Sequence, residues 1–454
     1  MNGGPLAPRS GPVPPGGVPV RSTRAPDGPD VPLDDALLRG LAPDGGLYLP
    51  TVVPPLPDGW ADAPSFADLA AGMLAPWWGD DADAVAPLVR DATAFPVPLV
   101  PLGGNRWLVE LFHGPTLSFK DVGARTMARL AGRALARRGA TATVLVATSG
   151  DTGSAVADGF AGIPGVRVAL LYPRGRVSDV QERQLVAARP GVRAFAVDGD
   201  FDACQRLVKE AFVDPALADA HLTSANSINV GRLLPQATYY AWAVAQLRRA
   251  HGVDAAPWVV VPSGNLGNLT GGRIAAAAGV PVAGWLAAHN ANAFLPDVLA
   301  GRRAKDDRPA TVATRANAMD VGAPSNFERL DAWFGDALPR TLHATTSDDA
   351  ATLARMATTY DADGEVVCPH TAVGLEGLAR LRAAHPELRD APTLVLATAH
   401  PAKFPTAVRD AIGVTPDEPD ALARLRDAPR RVEPLAPTLD ALRDALLHGA
   451  WPDA

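Results

Sequence analysis

Between residues 143 and 397 the chain alternates two patterns of apolar residues. Mostly apolar runs of strand length fall at 143–147, 166–172, 192–197, 258–261, 282–287 and 393–397. Stretches with helical spacing lie at 154–160, 177–188, 201–212, 230–249, 348–360 and 371–385, as in the recurrence of Phe201, Leu207, Val208 and Phe212. Strands with no polar alternation are buried on both faces. Their regular exchange with helices predicts an α/β fold with parallel sheets covered on both sides. A further helix is predicted over 121–138, stopped by Gly139, with Lys120 on its first turn. Before it, helices at 34–41, 66–78 and 81–92 give a small, mostly helical amino-terminal region over 20–95. A Pro-rich connection at 95–102 joins that region to a short strand at 107–111. Two late helices, at 421–427 and 439–447, close the pattern, with Thr438 as the N-cap of the second.

Composition narrows the class. At 454 residues the chain exceeds a single core, and about two or three domains are expected. Hydrophobic content of 47% and charged content of 20% fit a globular protein with a solvated surface. A net charge of −7 argues against non-specific nucleic-acid binding. Two cysteines, Cys204 and Cys368, make no disulfide framework, so a reducing cytoplasm is expected. No apolar run is long enough to span a membrane. Residues 1–19 are rich in Pro and Gly and read as a disordered tail.

Candidate chemistry gathers in five places. Lys120 follows His113-Gly114-Pro115-Thr116-Leu117-Ser118-Phe119 and opens a helix, where the positive end of the macrodipole disfavours an ammonium. A lysine of lowered pKa suits Schiff-base chemistry, whereas an isolated lysine is more often an ordinary surface group. Gly264-Asn265-Leu266-Gly267-Asn268 lies between a buried strand and a helix, the geometry that cradles a phosphate; the bland alternative is a turn. Ser149, Asp151 and Thr152 sit in a loop at the carboxyl end of a strand, suited to a carboxylate or phosphate or to N-capping. Asn226, Ser227 and Arg232 open another helix, and Arg232 is able to clamp an oxyanion. Thr398, His400 and Lys403 follow the last strand, offering a hydroxyl for a heteroaromatic nitrogen and an ammonium for a phosphate. His289, His343 and His370 lack metal-ligand spacing, so no metal is expected.

Taken together, HGPTLSFKD (113–121), SGDTGSA (149–155), NSINVGRLLPQ (226–236), PSGNLGN (262–268), GAPSNFERL (322–330) and TAHPAKF (398–404) resemble the threonine synthase family. So does the pairing of RSTR (21–24) with GLAPDGGLYLP (40–50). The resemblance covers residues 20 to about 412. It implies a pyridoxal-phosphate enzyme of fold type II, with two mostly parallel sheet domains plus the amino-terminal domain at 20–95. The large, cofactor-binding domain would comprise 96–138 and 245–454, and a smaller inserted domain 139–244. It implies a lyase that turns O-phospho-L-homoserine and water into L-threonine and phosphate, as a monomer or homodimer. Lys120 would carry the cofactor, Gly264, Asn265, Leu266, Gly267 and Asn268 would hold its phosphate, and Thr398 would face its ring nitrogen. Ser149, Asp151, Thr152, Asn226, Ser227, Arg232 and Lys403 would lie near the substrate. Leu266 stands where Phe is common, and Cys368 where an acidic residue is frequent. The alternatives are a related phospho-amino-acid lyase, a threonine dehydratase, or a silent binding protein on the same scaffold.

Overall fold

The computed structural model describes residues 6–148 and 150–453. Two sheets dominate it. The larger has six strands in the order His343–Thr346, Gly284–His289, Trp258–Pro262, Thr393–Ala397, Arg106–Glu110 and Leu99–Leu102. All neighbours in it run parallel except the last pair. The smaller has five parallel strands, in the order Leu222–Thr223, Ala142–Ala147, Val166–Pro173, Val192–Val197 and Glu433–Leu435. The strands Ala142–Ala147, Val192–Val197 and Thr393–Ala397 are buried at every residue, as their predominantly apolar composition favours. Helices cover both faces of each sheet. On the outer face of the five-stranded sheet lie Phe201–Phe212 and Leu439–His448. Pro369–Ala384 packs on the far face of the six-stranded sheet. Thr438 caps the last helix by accepting from the Ala441 N–H. No helix among the described residues is long and apolar enough to cross a membrane.

Several expectations require correction. The stretch read as a disordered tail is anchored at points along its described part. Arg9–Ser10 pairs with Val52–Val53, and Leu6 and Val18 are buried. A few apolar side chains set among prolines suffice to anchor it, and composition averages hide them. The predicted helix over 230–249 is broken into Val230–Leu233 and Ala237–His251, with a 3₁₀ turn, Leu234–Gln236, between them. Pro235 sits at that turn, where it has no N–H to continue the α-helical ladder. The Pro-rich connection is itself an antiparallel edge strand, Leu99–Leu102, a position that tolerates Pro101. The amino-terminal region carries a three-stranded antiparallel sheet of Val31–Pro32, Pro19–Ser22 and Tyr48–Pro50 beside its helices. The helix Phe327–Phe334 and the strand His343–Thr346 had no clear signature in the pattern.

The carboxyl-terminal boundary also moves. The large domain was expected to run to residue 454, but Glu433–Leu435 pairs with Val192–Val197. Leu435, Leu442 and Leu446 complete the core beneath Phe195, Leu207 and Val208. Arg193 locks the junction, bonding Glu433 Oε1 at 2.8 Å and lying over the Trp451 ring. The inserted lobe is therefore closed by the last described elements. Leu442 is fully buried there, so Leu442→Ala is expected to cost about 2–5 kcal/mol. Hydrogen exchange monitored by mass spectrometry should then accelerate in Val166–Pro173 and Val192–Val197 while Trp258–Pro262 stays protected.

Candidate active site

Both sheets direct the carboxyl ends of their strands towards one cleft of about 1490 Å³. Ligands bind at such ends in open parallel sheets. After Arg106–Glu110 the chain turns through Leu117, which has a positive φ of 60°. It is then pinned beside the last large-sheet strand, as the Phe119 N–H donates to Thr398 O at 2.9 Å. This brings Lys120, first residue of the Lys120–Arg138 helix, alongside Thr398. The turn is set by the wholly buried Asp121. Its Oδ2 accepts from the Thr116 N–H at 2.9 Å and its Oδ1 from the Thr116 hydroxyl at 2.5 Å. Burial pushes the Asp121 carboxyl up to about 6 despite those bonds.

Lys120 Nζ lies 3.8 Å from Asp151 Oδ2. Burial lowers the lysine to about 8; Asp151 opposes the shift, and Lys403 and Arg232 add to it. Asp151 opens the helix Asp151–Phe160. Burial works against its charge, yet Lys403 and Lys120 hold it well below the usual carboxylate range. Lys403 departs from expectation. Its side chain is wholly buried and its ammonium is engaged by Asp151 Oδ1 and Thr116 O, each at 2.8 Å. It braces Asp151 from beneath the cleft and does not line it. Gln181 Nε2 adds a third contact to Asp151 at 3.1 Å.

The loop after Trp258–Pro262 turns through Leu266 in the left-handed region, φ 61°, at a cost of roughly 1–2 kcal/mol for a leucine. The helix Gly267–Ala277 begins there. Both glycines are needed for close approach. A Cβ on Gly264 would fall 2.8 Å from Met319 Cα, and one on Gly267 would fall 3.0 Å from Ser227 Cβ. Asn265 Nδ2 donates to Ser227 Oγ at 2.7 Å. Asn268 Oδ1 accepts from the hydroxyls of Tyr239 and Tyr240, each at 2.6 Å, while its buried Nδ2 has no partner. An unpaired buried donor at a helix N-terminus, beside open loop N–H groups, is a ready anion site.

Asn226, Ser227 and Arg232 also line the cleft, with Ser227 set against the anion loop. Arg232 NH1 is bound to Ala225 O, its buried Nε is unpartnered, and burial lowers it to about 10 against the pull of Asp121. Asn226 Oδ1 is likewise unpartnered. Lys120, Asp151, Thr152, Asn226, Ser227, Arg232, Gly264–Asn268 and Thr398 thus share one cleft. Ser149 lies outside the described residues. Sequence reasoning missed His370 as a wall residue. Its Nε2 accepts from the Ala318 N–H at 3.1 Å, and burial lowers it to about 3, so it stays neutral. Its place on the first turn after Pro369 was the available cue. Thr23 and Arg24 also reach the cleft rim, where both bond Glu328.

These residues fit pyridoxal phosphate: an amine of lowered pKa, an anion loop with an unpaired donor, and a hydroxyl residue, Thr398, in the same cleft. Comparison with known proteins agrees. A model of pyridoxal-phosphate dependent enzymes matches residues 91–399. Models of the threonine synthase N terminus and C-terminal region match 20–89 and 371–446. Threonine synthase of Escherichia coli is 39% identical over 91% of this chain and 96% of that protein. The Serratia marcescens enzyme is 38% identical over 91% and 95%. Among solved structures, pyridoxal-phosphate-bound threonine synthase from Brucella melitensis superposes with a TM-score of 0.86 at 34% identity, covering 95% of this chain and 99% of that one. The Escherichia coli structure gives 0.84 at 36%, covering 95% and 100%. Matched by these family models and 38–39% identical to these two relatives over 91% of its length, the chain belongs to the threonine synthase family and is a pyridoxal-phosphate-dependent lyase.

Proposed function

We propose that this chain converts O-phospho-L-homoserine and water into L-threonine and phosphate. The observation that carries the reading is that two anion-suited groups line the same cleft as Lys120. One is the Gly264–Asn268 loop with its unpaired Asn268 Nδ2, which would hold the cofactor phosphate. The other is the Arg232 guanidinium, which would take the substrate phosphate together with Asn226, while Ser227 joins the two groups through Asn265. Bound pyridoxal phosphate, carried by Lys120, supplies an electron sink for negative charge that develops on the substrate carbons. Thr398 would offer the ring nitrogen a neutral hydroxyl, which would temper that sink. Released Lys120 removes the Cα proton, and burial suits it to the task by leaving much of the amine neutral near pH 8. A Cβ proton is lost, phosphate leaves from Cγ, Cγ takes up a proton to become the methyl carbon, water adds its hydroxyl at Cβ and gives its proton to the phosphate, and a proton returns to Cα. Lys120 holds and returns protons across these steps. Asp151 keeps the ammonium form close to the reacting carbons, and Lys403 keeps Asp151 in place. Two buried free cysteines suit a reducing cytoplasm.

The direct test incubates the purified holoenzyme with O-phospho-L-homoserine and measures L-threonine and phosphate together. Equal yields support the reading, and 2-oxobutyrate formed from added L-threonine in place of that reaction overturns it. Lys120→Ala should lower kcat by about 10²–10⁴-fold, the range for a lost acid–base group. Arg232→Met should raise KM about tenfold to a hundredfold with less change in kcat, as befits a lost charge-assisted contact. In the cofactor-free protein, only neutral Lys120 captures pyridoxal phosphate, so the capture rate followed by visible absorbance should rise with pH to a plateau with a midpoint near 8. In Asp151→Asn the stabilising carboxylate is gone and the Lys403 ammonium remains, so that midpoint should move to lower pH.

A further inference from the structure

The block Gly322–Leu330 has no part in the chemistry above, although it contains a wholly buried arginine. Arg329 Nε donates to Tyr48 O at 2.9 Å, NH1 to Ser227 O at 3.2 Å and to Asn326 Oδ1, and NH2 to Ile228 O at 2.6 Å. None of these acceptors is a carboxylate. The adjacent acid, Glu328, is engaged by Thr23 and by Arg24, the latter at 3.0 Å. Burial lowers Arg329 to about 9, which leaves it charged at neutral pH. Burying a guanidinium on neutral acceptors is expensive, and a methionine would fill the volume more cheaply. What an apolar side chain lacks is the rigid fork of donors. That fork is satisfied only when the amino-terminal strand Tyr48–Pro50, the loop at 226–228 and the Phe327–Phe334 helix hold one arrangement.

The same block reaches the anion loop. Asn326 Nδ2 donates to Ser227 O at 3.3 Å and to Ser227 Oγ at 3.4 Å. Ser227 Oγ also accepts from Asn265 Nδ2, and the Ser325 N–H donates to Asn265 Oδ1. Ser227 and Asn265 are therefore gripped from behind, at the point where a Cβ on Gly267 would fall 3.0 Å from Ser227 Cβ. We propose that Arg329, acting with Asn326, is the positioning residue that fixes the Ser227–Asn265 wall and thereby sets how tightly the chain holds the phosphate of its cofactor. This inference rests on the placement of that phosphate at Gly264–Asn268.

The test compares Arg329→Met, Arg329→Lys and Asn326→Ala. For each, the melting temperature without cofactor, the Kd for pyridoxal phosphate by tryptophan fluorescence, and kcat at saturating cofactor are measured. Arg329→Met should raise Kd by about tenfold or more, as expected for lost bonds to a charged donor. Arg329→Lys should recover part of that loss, Asn326→Ala should weaken binding to a smaller degree, and kcat at saturation should stay close to the parent value. A lowered melting temperature with unchanged Kd, or a fall in kcat alone, overturns the proposal. Should Arg329→Met fail to fold, unchanged Kd in the other two variants overturns it equally. Gly267→Val is the control. If it leaves Kd unaltered, the phosphate placement itself is wrong. If it weakens binding while the Arg329 and Asn326 variants do not, the placement stands and the positioning role falls.

Discussion

The structure depends on one buried carboxylate shared by two lysines. Asp151 belongs to the inserted lobe, Lys403 follows a strand of the large one, and Lys120 opens the helix between them. A buried ammonium without its partner costs several kcal/mol, so Lys403 is tolerable only when Asp151 docks against it. Site assembly and lobe docking are thus one event. With Lys120 protonated the trio sums to one positive charge, two ammoniums and one carboxylate. That charge lies beside a cleft that Arg232 and the Gly264–Asn268 loop also line. The cleft therefore favours anions before any of them arrives, and the overall charge of −7 is no obstacle.

Much of this was legible in the chain. Mostly apolar runs located the buried strands because a parallel sheet must be apolar on both faces. Lys120, the Gly264–Asn268 loop and Thr398 stood out because each follows a strand and precedes or joins a helix, and the structure gathers them in one cleft. What stayed hidden depends on partners far away in sequence. Lys403 has the appearance of a phosphate ligand until Thr116 O and Asp151 are seen to occupy it. His370 is an ordinary histidine until burial holds it neutral and the Ala318 N–H claims its Nε2. The tail before residue 20 was misjudged because two buried side chains, Leu6 and Val18, outweigh a composition that otherwise looks unstructured. Glu433–Leu435 offers three residues, too short a run to reveal which sheet it completes.

That short strand has a consequence for how the protein is made. Arg193 meets Glu433 across a separation of 240 residues. The inserted lobe therefore waits for a late part of the chain before its sheet edge is covered and its outer core is sealed. During synthesis the strand Val192–Val197 stands as an open edge while the whole second half of the large lobe is being added. Contacts of such long range slow folding, because loop closure precedes any gain from them. An uncovered edge strand is also a template for wrong pairing. The maturation of this enzyme is thus governed by its order of completion: the lobe begun earlier is finished later, and the site between the two lobes inherits that delay.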